Sequence, residues 1–136
     1  MRTLHVGLRV GELERSLAFY TALGYEVVGN VPETEFGSLT MLKLPDDEFV
    51  TLELVHQPGA DVTGGGLSHF VIVVESMATT IRQLAAHDID AGPPSSPDGS
   101  DGFLTSTITD PDGNTIELVQ WPPGHPDGLT GADWAE

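Results

Sequence analysis

Apolar and polar residues follow two periods along this chain, and the order in which the periods occur repeats. Leu4, Val6, Leu8 and Val10 alternate with His5, Gly7 and Arg9, the period-two signature of a strand with one apolar face. Within Glu12 to Leu23, Leu13, Leu17 and Tyr20 return at helical spacing, and Gly24 supplies a C-terminal stop. Tyr25 to Gly29 reads as a short strand and Pro32 to Gly37 as a polar loop. Ser38 to Leu44 and Phe49 to His56 read as two strands of a hairpin across Pro45-Asp46-Asp47. Pro58, Gly59 and Gly64-Gly65-Gly66 mark a linker over residues 58–66.

The pattern then restarts. It predicts a strand over Leu67 to Val74, a helix over Ser76 to His87 with Ser76 as N-cap, and a short segment from Ile89 to Ala91. A proline- and glycine-rich loop, Gly92 to Gly102, precedes a strand from Phe103 to Thr109. The turn Asp110-Pro111-Asp112-Gly113-Asn114 leads into a last strand, Thr115 to Trp121. On its own Asp110-Pro111-Asp112-Gly113 is turn chemistry, without the graded oxygen spacing of a calcium-binding hand. Residues 122–136 lack periodicity and read as a flexible tail, with Leu129 and Trp134 as candidate anchors.

The two halves superpose under one shift. Met77, Ile81 and Leu84 lie 64 residues after Leu13, Leu17 and Tyr20, and the same 64 residues separate His5 from His69 and Glu53 from Glu117. The expected fold is therefore α+β. Two repeated βαβββ modules, residues 1–57 and 67–121, would form a single domain over residues 1–121, with a curved mixed sheet around a central groove. One strand histidine or glutamate alone is usually a hydrogen-bonded or solvated group. Two of each at a shared offset point instead to a divalent-metal site made of His5, Glu53, His69 and Glu117. Imidazole and carboxylate donors suit nickel, cobalt or zinc. They could close a tetrahedral structural site, or leave two positions of an octahedron for water or a bidentate substrate. Arg9 shares a strand face with His5, about 13 Å away, and so could line the same groove.

Composition narrows the partners. Five Lys and Arg against 21 Asp and Glu leave a net charge of -16, which repels phosphate backbones and anionic membrane surfaces. Nucleic acid and membrane are thus not expected as partners. With no cysteine there is no disulfide, thiolate nucleophile or cysteine zinc site. The chain runs from Met1 straight into a strand pattern and has no apolar run near the ~20 residues of a membrane span, so a cytoplasmic protein is expected.

The opening His5-Val6-Gly7-Leu8-Arg9-Val10 with Leu13, Arg15, Ser16, Phe19 and Tyr20, and the closing Asp110-Pro111-Asp112-Gly113-Asn114-Thr115-Ile116-Glu117-Leu118, resemble the vicinal oxygen chelate superfamily. Within it the chain is most similar to short bacterial glyoxalase I. The resemblance implies that His5, Glu53, His69 and Glu117 are metal ligands, with nickel or cobalt favoured over zinc. It also implies a homodimer whose sites draw modules from two chains. The implied reaction converts the hemithioacetal of a 2-oxoaldehyde and a thiol to a 2-hydroxyacyl thioester through an enediolate, with Glu117 or Glu53 as the base. Arg9 matches a position that contacts the anionic thiol cofactor. Bacterial glyoxalases tend to carry an asparagine shortly after the first glutamate, where this chain has Val55-His56-Gln57-Pro58, and Ser95 to Gly102 lacks a basic residue. The thiol is therefore open between glutathione and another low-molecular-weight thiol. The same superfamily also offers epimerase and dioxygenase-like enzymes, and non-catalytic drug- or metabolite-binding proteins.

Overall fold

The computed structural model describes residues 3–62 and 67–134, in two units: Met1–Gly66 with Asp110–Gly113, and Leu67–Thr109 with Asn114–Glu136. Gly64-Gly65-Gly66 of the expected linker and the last two residues of the expected tail lie outside the described residues.

The first unit holds β1 (Val6–Arg9), α1 (Leu13–Leu23), β2 (Glu26–Thr34), β3 (Gly37–Lys43) and β4 (Leu52–His56). Its sheet runs β1-β4-β3-β2, with β1 parallel to β4 and the other pairs antiparallel. Helix α1 stops at Gly24, whose φ of 124° a side chain would resist and whose N–H bonds the Tyr20 and Thr21 carbonyls. Leu8, Val10, Tyr20, Leu42, Leu52 and Leu54 are buried together as the unit's core, each apolar side chain contributing about 1.5–3 kcal/mol. The alternation in β1 reaches the core only through Leu8 and Val10, because Leu4 and Val6 are exposed.

Two boundaries differ from expectation. Strand β2 continues past Pro32 to Thr34, so the expected polar loop shrinks to a tight turn at Glu35-Phe36. Pro32 is tolerated because β2 is an edge strand and its register with β3 shifts between Val31 and Thr34. Thr34 Oγ1 closes the turn, accepting from Phe36 N and donating to the Gly37 carbonyl at 2.7 Å. Strand β4 starts at Leu52 rather than Phe49. The Asp47 carboxylate takes the Leu44 N–H and the Thr51 hydroxyl, which leaves the intervening residues outside the ladder.

The second unit holds β5 (His69–Val73), α2 (Met77–Ala85), β6 (Leu104–Thr109) and β7 (Thr115–Gln120), in the order β5-β7-β6 with β5 parallel to β7. Ser76 caps α2 by accepting from Thr79 N, as its position suggested. Gln120 accepts the Met77 N–H at 2.7 Å and donates to the Gly102 carbonyl. Ile72, Met77, Leu84, Ile89, Ile108, Ile116 and Leu118 form the core. This module has two strands after its helix, not three. Pro93 and Pro94 lack the N–H groups a strand needs, and the segment is tethered to β6 by Gly92 N to Thr107 O, by the Ser106 hydroxyl donating to the Gly92 carbonyl and by the Ser95–Thr105 bridge.

Beyond β7, Trp121 stacks on Phe103 and on His125, with ring centroids 5.4 and 4.4 Å apart. His125 Nε2 lies 2.5 Å from Asp133 Oδ1, and Gly131–Trp134 forms a short 3-10 turn. Leu129 and Trp134 are exposed. Among the described residues, no helix is long and apolar enough to cross a membrane.

Candidate metal and substrate site

Parallel pairing of β1 with β4 puts Glu53 opposite Gly7, two residues beyond His5 and on the same face of the sheet. Pairing of β5 with β7 puts Glu117 opposite Val71, two residues beyond His69. The register is the same in both units, and so is its result. His5 Nε2 lies 3.2 Å from Glu53 Oε2, and His69 Nε2 lies 3.7 Å from Glu117 Oε2. All four side chains keep some solvent exposure.

These pairs fit a divalent ion chemically. Nitrogen and oxygen donors each about 2.1 Å from one ion, at roughly a right angle, stand about 3 Å apart. His5 Nδ1 is buried with no hydrogen-bond partner among the described residues, whereas His69 Nδ1 lies 3.0 Å from Ser68 Oγ. If Nδ1 carries the proton and donates to Ser68, the Nε2 lone pair is free for a ligand. Among the described residues no three His, Asp or Glu side chains gather where they could hold a metal; the donors come as two pairs.

Arg9 lines a cavity of about 300 Å³ in the first unit with Gly7, Phe36, Leu39, Glu53 and Val55. Its Nη1 is buried without a hydrogen-bond partner among the described residues. The sequence pattern joined Arg9 and Glu53 to one groove but did not single out Phe36, which reaches the cavity from the β2–β3 turn.

The Asp110–Gly113 turn was read as turn chemistry, and its side chains do more than that. Within the first unit, Asp112 Oδ1 accepts the Gly11 N–H and Oδ2 accepts the Ser16 hydroxyl near the start of α1. Asp110 Oδ2 accepts the Tyr20 hydroxyl at 2.6 Å. Burial, then the bond to Asp110 and that carboxylate's charge, raise the Tyr20 phenol well above its ordinary value. Burial and then Asp47 raise Tyr25 likewise. Both phenols stay protonated, so they hold structure and do not transfer protons near neutrality.

Residues 2–118 match the Glyoxalase/Bleomycin resistance protein/Dioxygenase superfamily. The chain is 29% identical over 125 residues to the lactoylglutathione lyase of Salmonella typhimurium, covering 88% of this chain and 93% of that one. It is 31% identical to a probable chloroplastic lactoylglutathione lyase of Arabidopsis thaliana, but there it spans only 35% of the relative's length. Other plant relatives are matched over 44% of their length. Among solved structures, the trypanothione-dependent glyoxalase I of Leishmania major superposes with a TM-score of 0.69 at 30% identity, covering 88% of this chain and 86% of that one. A glyoxalase family protein from Enterococcus faecalis gives a TM-score of 0.71 at 25% identity, covering 88% and 97%. The chain is thus a member of the glyoxalase/bleomycin resistance/dioxygenase, or vicinal oxygen chelate, family, with relatives named lactoylglutathione lyase that include short bacterial forms.

Proposed function

We propose that this protein is a metal-dependent, glyoxalase I-type lyase that converts the hemithioacetal of a 2-oxoaldehyde and a low-molecular-weight thiol to a 2-hydroxyacyl thioester. The observation that carries the reading is the duplicated register, which sets an imidazole beside a carboxylate in each unit. His5, Glu53, His69 and Glu117 would hold the ion, nickel or cobalt in preference to zinc. In this reading modules 1–57 and 67–121 serve one domain, and the four donors are completed in a cytoplasmic homodimer by modules of two chains.

When bound, the metal supplies Lewis-acid stabilisation of negative charge on adjacent substrate oxygens. The protein's own part is proton transfer and orientation. Glu117 or Glu53 takes a proton from one carbon of the hemithioacetal and returns it to its neighbour. Arg9 orients the thiol moiety through a charge-assisted hydrogen bond. A drug- or metabolite-binding protein of this fold would need the groove but not all four donors, and their retention supports the enzyme.

The test is elemental analysis of purified protein together with turnover of methylglyoxal hemithioacetals made from several thiols. Bound nickel or cobalt with conversion of at least one hemithioacetal is expected. Metal-loaded protein that converts none would sink the lyase reading. Unchanged metal content in both Glu53→Gln and His69→Ala would sink the metal site.

A further inference from the structure

The organic ligand of the Arg9 cavity can be narrowed by charge and by the cavity's walls. The whole chain carries five basic residues against 21 acidic ones. Three of the basic groups have partners: Arg15 lies 3.6 Å from Glu12, Lys43 donates to the Asp47 carbonyl, and Arg82 donates to Thr79 Oγ1. Arg2 lies outside the described residues. Arg9 differs from these, because it lines a cavity with a buried nitrogen that no oxygen of the described residues satisfies. A buried guanidinium nitrogen left unpaired is costly, and a ligand oxygen removes that cost.

One planar guanidinium accommodates one carboxylate in a two-pronged pair. A second carboxylate on the same ligand would find no second free cation among the described residues, and a second copy of the chain brings only the same five basic groups. It would also enter the field of a protein with a net charge of -16. Glu53 also lines the cavity, and its carboxylate would repel a second anion there; the other walls are apolar. Leu39 and Val55 line it from β3 and β4, and Phe36, 56% exposed at the tip of the β2–β3 turn, adds an aromatic face.

We infer that this cavity selects a ligand with a single anionic group, held by Arg9, and an apolar or aromatic flank laid against Phe36 and Leu39. Resting on the glyoxalase-type reading, the inference makes the preferred thiol one with a single carboxylate and makes Phe36 a specificity-determining residue. Peptide thiols with two carboxylates are disfavoured.

Isothermal titration of the full-length protein with thioethers tests this without turnover. (Benzylthio)acetate carries one carboxylate and an aromatic flank, its primary amide lacks the charge, and S-benzylglutathione carries two carboxylates. The acid should bind at least about tenfold more tightly than either of the others, the scale of one charge-assisted hydrogen bond. Arg9→Gln should abolish the preference for acid over amide. Phe36→Ala should weaken (benzylthio)acetate several-fold and leave (methylthio)acetate unchanged. The inference is overturned if S-benzylglutathione binds as tightly as the acid, if acid and amide bind alike to the wild-type protein, or if the acid fails to bind at millimolar concentration. The acid–amide comparison needs no variant, so misfolding of Arg9→Gln would not rescue the idea. Lack of lyase activity with the predicted binding order would refute the proposed reaction and leave the ligand class standing.

Discussion

Tyr20→Phe isolates the bond between α1 and the Asp110–Gly113 turn. The phenol donates to Asp110 Oδ2 at 2.6 Å, and both residues are buried. The ring itself packs edge-on against Phe19 and Tyr25 at 5.1 and 5.7 Å, and the substitution keeps those contacts. Asp110 retains the Asp112 N–H at 2.9 Å, so its carboxylate is not stranded. The loss is therefore one hydrogen bond to a charged acceptor, about 1.5–3 kcal/mol. Urea unfolding at pH 7 should show a lower midpoint with an unchanged slope. A loss below about 0.5 kcal/mol would mean that the bond contributes little to this fold. The pH dependence checks the same bond. The folded phenol sits above its unfolded value of about 10, so its contribution is fully present below that pH and is lost as pH rises towards the folded value. The stability gap between wild type and Tyr20→Phe should stay constant from pH 7 to 9 and narrow above about pH 10. A gap that widens in alkali would refute the assignment.

Other outcomes follow from particular contacts. Glu53→Gln and His69→Ala should each lower the nickel or cobalt content of the purified protein measured by elemental analysis, while circular dichroism stays native. Gly37→Ala should cost more than about 1 kcal/mol in urea unfolding, because φ is 112° there and the added methyl would meet the His56 carbonyl oxygen at 2.5 Å. His125 should titrate above its ordinary value by NMR, raised first by Asp133 and then by the Pro126 carbonyl, while Asp133 is lowered first by the Thr130 N–H and then by His125. The histidine's contribution is complete below about pH 6.5 and lost as pH rises through its folded value. The aspartate's is complete above about pH 4 and lost as pH falls through its own. Exchange of the Asp133 amide, which donates to the Thr130 carbonyl, should therefore be slowest, relative to its intrinsic rate, between about pH 4 and 6.5. A His125 titration at or below 6.5 would count against the pairing.

What the sequence made legible was whatever depends on spacing. The strand period put His5 and Arg9 on one face, and the repeated offset anticipated a repeated pairing of histidine with glutamate. Parallel registers then bring each histidine to its glutamate, because identical offsets on paired strands produce identical neighbours. Contacts that join distant segments were not legible. Asp110 and Asp112 meet Tyr20 and Ser16 across 90 and 96 residues, and no local period distinguishes an aspartate that closes its own turn from one that also holds a remote helix. Phe36 was hidden differently: it lies where Pro32 suggested that the strand had ended, and the Thr34 hydroxyl with the Thr34–Gly37 pairing closes a tight turn that brings an aromatic ring to the cavity. The missing third strand after α2 is the converse. The 64-residue offset preserves the helix face and the His and Glu positions, but Pro93 and Pro94 fall in the segment that corresponds to β2 and remove two N–H groups from it, and it stays a loop tethered to β6. The residues proposed as ligands share the 64-residue offset, whereas the segment that would complete the edge of the second sheet does not form the corresponding strand.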